Sequence, residues 1–162
     1  MKISAQDEYG LRILLRIARA EDQEGMTIVQ LSELEGLSQP YVAKITRILR
    51  MANLIESTKG RKGGYILAKP PGEIKVSEIL NALGGTLFDS SFCKSHSGQG
   101  KICTNSLDCS VRSLWQIMQA SMDSLLNSIS LDDLIGKELR TSQSLQHLAV
   151  QLAITPQVPD ER

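Results

Sequence analysis

The segment "EGLSQPYVAKITRILRMANLIESTKGRKGGYILAK", residues 35–69, decides the fold of this chain. Gly36 ends a short helix, Ser38 is a preferred N-cap, and Pro40 falls in the first turn of the next helix, where a missing N–H costs little. Apolar residues then recur at helical spacing on one face, namely Val42, Ile45, Leu49 and Ala52. A short helix, a tight turn and a longer helix predict a helix-turn-helix.

The second face of the longer helix is basic, with Lys44, Arg47 and Arg50. Charge along the whole chain is segregated in the same way. Residues 37–75 carry eight Lys and Arg against two Asp and Glu, within a chain of zero net charge. Such a block is typical of a surface that binds nucleic acid, and a solvated basic face without a ligand is the alternative interpretation.

The stretch "LIESTKGRKGGYILAK", residues 54–69, predicts a strand, a basic glycine-rich turn and a second strand. A basic hairpin directly after a helix-turn-helix is typical of a wing, which lies along the DNA backbone beside the groove that the helix enters. A nucleotide-binding phosphate loop is excluded, because neither "GRKGGY" nor "GQGKIC" matches the GxxxxGK pattern followed by Ser or Thr. The candidate DNA-binding residues of helix and wing are Ser38, Gln39, Tyr41, Lys44, Arg47, Arg50, Lys59, Arg61, Lys62 and Gly63.

Capped helices surround this segment. Ser4 with Asp7 and Thr27 with Gln30 form capping-box patterns ahead of apolar repeats. After "PPG", a further apolar repeat predicts a helix that ends at Gly84. The predicted fold class is therefore mainly α with a small β wing, in a chain of 162 residues that is long enough for a real core.

A long apolar stripe predicts one more helix, from about residue 110. Its members are Val111, Leu114, Trp115, Met118, Met122, Leu125, Leu126 and Ile129. A small winged-helix domain cannot bury a stripe of this length alone, so the stripe packs elsewhere in its own chain or against its copy in a dimer. We expect the dimer, since a two-fold symmetric regulator matches a palindromic operator in double-stranded DNA.

The chain beyond that helix becomes more polar. "SISLDDLIGKEL", residues 128–139, predicts a capped short helix. From residue 141 onward we expect a flexible tail, in which Leu145, Leu148 and Leu152 form one weak helix.

All three cysteines lie in "CKSHSGQGKICTNSLDC", residues 93–109. Three is an odd number for disulfide pairs, and thiols stay reduced in the cytoplasm, so metal binding or redox sensing is expected. Three thiolates supply three of the four protein ligands that an iron–sulfur cluster usually takes. Zinc with His96 as fourth ligand is a rival, although no Cys pair has the spacing of two to four residues that structural zinc sites favour. A bare thiol switch is the third interpretation.

These motifs, in this order, resemble the Rrf2 family of transcription regulators, which includes iron–sulfur cluster regulators (IscR type) and nitric-oxide-sensing repressors (NsrR type). The resemblance covers residues 1–139. It rests on "MKISAQDEYGLRILLRIA", "LSQPYVAKITRILRMANLI", "GRKGGYILAKPPGEIKVSEIL", and the cysteines that lead through "CSVRSLW" to "SISLDDLI". It implies a dimeric winged-helix regulator whose operator affinity responds to redox state, nitric oxide or iron status through an iron–sulfur cluster, 2Fe–2S or 4Fe–4S, on Cys93, Cys103 and Cys109.

We expect four parts in the chain: a winged helix-turn-helix domain (1–85), a cluster-binding loop (86–110), a dimerisation helix with the following short helix (107–140) and the tail (141–162). The loop departs from the family in its longer first interval, since nine residues separate Cys93 from Cys103 and five separate Cys103 from Cys109. A longer loop is easily accommodated, because the entropy of loop closure grows slowly with length.

The fourth ligand is open. Where iron–sulfur cluster regulators have a histidine, three residues after the last cysteine, this chain has Arg112, and a guanidinium cannot bind iron. Nitric-oxide-sensing relatives use an acidic residue of the partner's first helix, which corresponds to Glu8. A pair with Arg12, one turn along the helix, is the alternative role for Glu8. His96 and Asp108 are further candidates.

Other functional classes find little support in the sequence. No apolar run approaches the roughly 20 residues that span a bilayer, and residues 1–20 lack a signal-peptide pattern. We therefore expect a cytoplasmic protein without membrane contact. His96 and His147 stand without a nucleophile motif, so we expect no catalytic residues and no enzyme.

Overall fold

The computed structural model describes residues 3–20, 25–58, 63–84, 92–95, 103, 105, 107–136 and 138–154. The described chain is mostly helical, with one antiparallel pair of strands. The elements are α1 (Ala5–Arg19), α2 (Ile28–Glu35), α3 (Gln39–Met51), β1 (Ile55–Ser57), β2 (Tyr65–Leu67), a 3₁₀ helix (Pro71–Glu73), α4 (Val76–Leu83), α5 (Phe92–Ser95), α6 (Ser110–Ser128), α7 (Leu131–Ile135) and α8 (Glu138–Ile154). The predicted fold class is confirmed. None of the described helices is both long and apolar enough to cross a bilayer.

The first two helices begin at the predicted capping boxes. The Asp7 backbone N–H donates to the Ser4 hydroxyl over 3.1 Å, and the Asp7 carboxylate accepts from the Ser4 N–H over 2.9 Å. Thr27 and Gln30 make the same reciprocal pair at the start of α2. Gly36 ends α2 with a φ of 65°, in the left-handed region where glycine is favoured over other residues. The helix starts expected at Ser4 and Thr27 and the helix end expected at Gly36 are thus confirmed.

The hydrophobic core is built around the inner face of α3. Val42, Ile45 and Leu49 are completely buried, as the apolar spacing of this helix predicts. They pack with fully buried side chains of the neighbouring elements, which are Ile13, Leu14, Leu31, Leu54, Ile74, Ile79 and Leu131. This core holds α1, α2, α3 and α4 as one body and leaves the other face of α3 outside.

The two predicted strands of the wing pair in antiparallel register. Ile55 lies opposite Leu67, and Ser57 lies opposite Tyr65. Beyond the strands, the Thr58 N–H donates to the Gly64 carbonyl over 2.9 Å, and this bond brings the two arms together before the turn. The tip of the hairpin, residues 59–62, lies outside the described residues.

Helix α7 ties the second half of the chain back to the first. The Leu131 N–H donates to the Ile74 carbonyl over 2.8 Å, and the Val76 N–H donates to the Ile129 carbonyl over 3.0 Å. Leu131 itself is completely buried in the core around α3. The predicted cap of this helix is confirmed, with Ser130 and Asp133 as a capping box. The short helix therefore packs as part of the winged-helix body, although the sequence grouped it with the dimerisation helix.

The segment predicted as a flexible tail is helical up to residue 154. Helix α8 begins at Glu138, and its Leu145 and Leu148 pack on a second apolar cluster around Val76, Leu80 and Ile129. The weak helix expected around Leu145, Leu148 and Leu152 is present as part of this longer helix, and residues 141–154 pack on α6 and α7 instead of forming a flexible tail. Residues 155–162 lie outside the described part of the chain.

Candidate functional site

The outer face of α3 presents the predicted basic residues to solvent. Lys44, Arg47 and Arg50 are all exposed, one helical turn apart. The opposite face of the same helix is buried in the core, and this packing fixes the helix in place with its basic face outward. An exposed helix with a row of cations has the shape and charge to enter the major groove and to contact phosphates at its edges.

The first turn of α3 combines polar and aromatic side chains. Ser38 and Gln39 are exposed, and Ser38 makes no side-chain capping bond within the described chain. Tyr41 is half-buried, with its ring centroid 5.9 Å from that of Tyr9 and with the Lys44 Nζ 6.0 Å away. This turn is the part of a recognition helix that reaches base edges in helix-turn-helix proteins.

Gly63 lies at the edge of the wing turn. Gly63 is exposed and has a φ of 50°, a conformation that a side chain would strain. The basic residues at the tip, Lys59, Arg61 and Lys62, lie outside the described residues. Their contribution to DNA binding stays a prediction.

A buried carboxylate, which was not predicted from the sequence, joins α1 to the end of α2 by hydrogen bonds. The Glu35 side chain, only 2% exposed, accepts from the Arg12 Nε over 2.6 Å and from the Arg16 Nε over 2.5 Å. Glu35 directly precedes the turn that leads into α3, so this pair of bonds sets the position of that turn against α1. Two features of the sequence could have indicated this ion pair. Glu35 follows the core residue Leu31 by four residues and so lies on the same, buried face of α2, and Arg12 and Arg16 lie one turn apart on the preceding helix.

The three cysteines precede α6 along the chain. Cys93 lies in α5, and Cys109 is the N-cap of α6, where its sulfur accepts from the Arg112 N–H over 3.4 Å. All three carry free, half-buried thiols. Thiols of this kind suit iron or zinc in chemistry, but no three His, Cys, Asp or Glu side chains of the described residues are gathered within reach of one metal ion. The three thiols therefore fit an iron–sulfur cluster in their chemistry.

The candidates for a fourth ligand differ in what the structure shows of them. Glu8 is exposed on α1, and Asp108 is exposed next to Cys109, whereas His96 lies outside the described residues. The structure pairs Arg12 with Glu35 and places no bond between Arg12 and Glu8 among the described contacts. The alternative role of Glu8, a helix-surface pair with Arg12, is therefore not what the structure shows.

Glu8 also borders an open groove of about 780 Å³ between α1, α6, α7 and α8. The apolar side chains that line it are Leu11, Leu15, Leu125, Ile129, Leu134 and Leu145. Charged groups share the lining, with Glu8, Arg12 and Arg19 on α1 and Glu138 on α8. Glu8 is thus exposed at the border of this groove.

The N-terminal half of α6 exposes its apolar face. Leu114 is 53% exposed and Ile117 is 66% exposed, and Val111, Trp115 and Met118 are exposed with them. Farther along the helix, Leu125 and Leu126 pack on the cluster around Val76. The long stripe predicted from sequence is thus divided, with its C-terminal end covered by the same chain and its N-terminal end uncovered.

One protein-family model matches most of the chain. Residues 3–137 match the model of the Rrf2 family, described as iron-dependent transcriptional regulators. The chain belongs to the Rrf2 family. An Rrf2-type relative, the HTH-type transcriptional regulator IscR of Cronobacter sakazakii, is 26% identical over 138 residues, which are 85% of this chain and 82% of the relative.

Solved Rrf2-type structures resemble the fold. IscR of T. potens is 31% identical and has a TM-score of 0.63, over 83% of this chain and 86% of its own. CymR of B. subtilis, named the global cysteine regulator, is 26% identical with a TM-score of 0.61, over 83% of this chain and 96% of its own. The expected family is confirmed, and the protein is a DNA-binding transcriptional regulator of a non-enzymatic class.

Proposed function

We propose that this Rrf2 protein is a cytoplasmic homodimer that binds a palindromic operator with an affinity set by an iron–sulfur cluster. Cys93, Cys103 and Cys109 are the proposed protein ligands, with Glu8 of the partner subunit as the fourth. Oxygen, nitric oxide or a shortage of iron is the proposed signal. A relative named IscR supports the cluster, and the three thiols in this chain supply the donor chemistry.

The observation that carries this proposal is the place of Cys109 at the N-cap of α6. Its sulfur accepts the Arg112 N–H in the first turn of the helix. Ligation of this thiol therefore acts directly on the end of the longest described helix. The other end of α6 packs on Val76 and Leu80 of α4, and α4 also packs against α3. A change at the cysteines thus has a short path of packed helices to the DNA-binding surface.

The exposed half of α6 supports the dimer. Five large apolar side chains on one helix face form a patch of a kind that monomeric proteins rarely leave in water. Pairing with the same face of a second copy would cover both patches at once, because a two-fold interface is self-complementary. Glu8 is exposed beside an open groove, and we expect it to meet the second chain in such an assembly.

In this proposal, three parts of the chain bind the cofactor, connect it to the body and bind DNA. The cysteines hold the cofactor, Cys109 connects it to α6, and α3 with the wing contacts DNA. An iron–sulfur cluster supplies a group whose charge and ligation change on reaction with oxidants or nitric oxide. Such a change alters DNA affinity only if one arrangement of the two winged-helix bodies is favoured with the cluster bound.

Iron and acid-labile sulfide analysis of protein purified without oxygen tests the cofactor. We expect brown protein whose visible absorption is reduced or abolished by Cys93→Ala, Cys103→Ala or Cys109→Ala. Ser110→Ala, next to Cys109 on the exposed first turn of α6, is the matched control and should keep the parent spectrum. Glu8→Ala should change the spectrum or the lifetime in air while the dimer stays intact.

Titration of one operator duplex with cluster-bound and cluster-free dimer, at fixed salt, tests the control of affinity. We expect at least a tenfold difference between the two forms, or about 1.4 kcal/mol. Equal affinities would make the cofactor structural. Colourless protein with stoichiometric zinc would contradict the cluster, and metal-free protein whose DNA affinity changes on thiol oxidation would establish the bare thiol switch instead.

The wing is tested by Arg61→Ala. If Arg61 contacts a phosphate, the variant should bind all duplexes more weakly, and the log–log salt dependence should flatten by about one unit. Arg19→Ala is the matched control, because Arg19 lies on α1 and donates to the carbonyls of Leu134 and Ile135. An unchanged salt slope in Arg61→Ala would exclude the wing contact.

A further inference from the structure

Two tyrosines join α1 to the recognition helix α3. The rings of Tyr9 and Tyr41 lie with their centroids 5.9 Å apart and their planes at 88°, an edge-to-face pair. Both residues are half-buried and pack against the core. Edge-to-face pairs depend on the direction of the rings, so this contact constrains the orientation of the helices as well as their separation.

A cation faces each ring. The Arg12 Cζ is 5.6 Å from the Tyr9 centroid, and the Lys44 Nζ is 6.0 Å from the Tyr41 centroid. Arg12 in turn donates to the buried carboxylate of Glu35, at the end of α2. A continuous series of contacts therefore runs through three helices, in the order Glu35, Arg12, Tyr9, Tyr41 and Lys44.

This series ends on the DNA-binding surface. Tyr41 lies in the first turn of α3, and Lys44 lies one turn farther on, where it is exposed. Tyr9 lies on a different helix and contacts the recognition helix through Tyr41. A rotation of α3 by a fraction of a turn would move Lys44 and the first-turn side chains away from the bases, while phosphate contacts along the helix tolerate such a shift.

We propose that Tyr9 is a positioning residue for sequence-specific DNA binding, which acts through Tyr41 to orient the first turn of α3 and Lys44. The proposal rests on α3 being the recognition helix and goes beyond the proposed function, because it does not depend on the cofactor. Its consequence is selective: loss of the Tyr9 ring lowers discrimination between sequences and leaves general DNA affinity nearly unchanged.

The test uses two duplexes and the full-length protein purified without oxygen. One duplex, of about 30 base pairs, is selected from a random pool by the parent protein and is long enough for two half-sites one turn apart. The other has the same composition in scrambled order. We expect Tyr9→Leu to bind the selected duplex about tenfold more weakly, the loss that one misplaced base contact gives, and the scrambled duplex within about twofold of the parent.

Three further variants separate positioning from a general loss of structure. Tyr9→Phe keeps the ring and should keep the parent discrimination. Leu15→Ala trims a half-buried side chain of α1 that also packs on the core, and should leave the ratio of the two affinities unchanged. Tyr41→Leu combined with Tyr9→Leu should lose no more discrimination than Tyr41→Leu alone, because Tyr9 acts only through Tyr41.

Discrimination by Tyr9→Leu equal to that of the parent would overturn the inference, and so would additive losses in the double variant. If Tyr9→Leu unfolds, it loses affinity for both duplexes in proportion, and the scrambled duplex together with a thermal melt reveals this. The decision then rests on Tyr9→Phe. If that variant is folded and has lost discrimination, the proposed role of the ring is overturned. A parent protein without iron would contradict the proposed function and leave this test valid. A parent that selects no duplex would overturn the inference together with operator binding.

Discussion

Helices α3 and α6 have the same kind of amphipathic sequence and opposite degrees of burial. In α3, the apolar residues Val42, Ile45 and Leu49 are completely covered by the neighbouring helices and β1. In α6, Leu114 is 53% exposed and Ile117 is 66% exposed. Apolar periodicity therefore predicts that a face will be covered, but it does not predict which surface covers it.

The difference follows from where each helix lies. Helix α3 is in the middle of the winged-helix body, and its polar face is left exposed to solvent. Among the described residues, helix α6 packs on that body toward its C-terminal end, through Leu125 and Leu126. We therefore interpret the exposed face of α3 as the surface for DNA and the exposed apolar face of α6 as the surface for a second copy.

The largest expected effect comes from a charge in the exposed face of α6. Leu114→Lys should raise the dissociation constant of the dimer at least about 100-fold, because each copy would bring an unpaired ammonium into an apolar interface at a cost of roughly 3 kcal/mol or more. Sedimentation equilibrium over a concentration series measures it. The melting temperature of the body should change little, since Leu114 is already largely exposed within one chain.

Gln116→Lys is the matched control for that variant. Gln116 is exposed and lies two residues farther along α6, on the opposite side of the helix. The same charge at this position should leave association unchanged. If both lysine variants dimerise like the parent, the apolar face of α6 is not the interface, and the contrast drawn with α3 fails.

A smaller effect is expected at the clamp that positions α3. Glu35→Ala removes two charge-assisted hydrogen bonds, to Arg12 and Arg16, and should lower the free energy of unfolding by about 2 kcal/mol. Both arginines are more than 40% exposed and can return to water, which keeps the loss below that of a fully buried ion pair. Urea unfolding monitored by circular dichroism measures it.

Glu33→Ala provides the comparison on the same helix. Glu33 is exposed, and its removal should change the free energy of unfolding by no more than about 0.5 kcal/mol. Equal stability losses in the two variants would show that the bonds of Glu35 contribute nothing particular to the body around α3.

The smallest effect concerns α7, which anchors the second half of the chain in the body. Hydrogen bonds from the Ser130 hydroxyl and the Ser130 N–H lower the pKa of Asp133. Because the pKa of the folded state is below the ordinary 3.8, the stabilisation is fully present above that pH and is lost as pH falls through the lowered value. Asp133→Asn should cost about 0.5–1 kcal/mol at neutral pH, and the difference from the parent should shrink below pH 3.8.

Asp132→Asn serves as the control, since Asp132 lies in the same first turn of α7 and is exposed. Its carboxylate is not the one that holds Ser130. Unfolding at a series of pH values compares the two variants. A cost of Asp133→Asn that persists unchanged in acid would contradict the role of the ionised carboxylate.

Most elements of the winged-helix body could be predicted because their signals are local. Ser4, Thr27 and Ser130 each bond with a residue three positions away, so the helix starts they cap appear in a few neighbouring letters. For the tail, the local pattern of Leu145 and Leu148 predicted a weak helix but not its packing on the rest of the chain. Helix α8 is stabilised by the packing of Leu145 and Leu148 on residues from α4 and α6, and no local pattern contains that contact.

In the candidate site, too, the features that depend on local sequence were predictable, and those that depend on distant contacts were not. The exposure of Lys44, Arg47 and Arg50 follows from the 3.6-residue repeat of α3, and the sequence predicted it. The partner of Arg12 did not follow, since Glu8 is one turn away while Glu35 is 23 residues away. Nearness along the chain favoured Glu8 as the partner of Arg12. In the structure, Arg12 bonds instead to the buried carboxylate of Glu35, the last residue of α2.

By itself, the sequence determined where helices begin and end, which face of each is apolar, where positive charge is concentrated and that three thiols precede the long helix. Caps, turns and periodicity depend on residues within a few positions of one another, so they are present in any stretch of the chain. Only the tertiary structure decided that Leu131 is buried in the core around α3, that Tyr9 meets Tyr41, and that half of α6 stays uncovered. These outcomes depend on the meeting of distant segments, because a local pattern specifies which face must be covered and the packing of the whole chain determines what covers it.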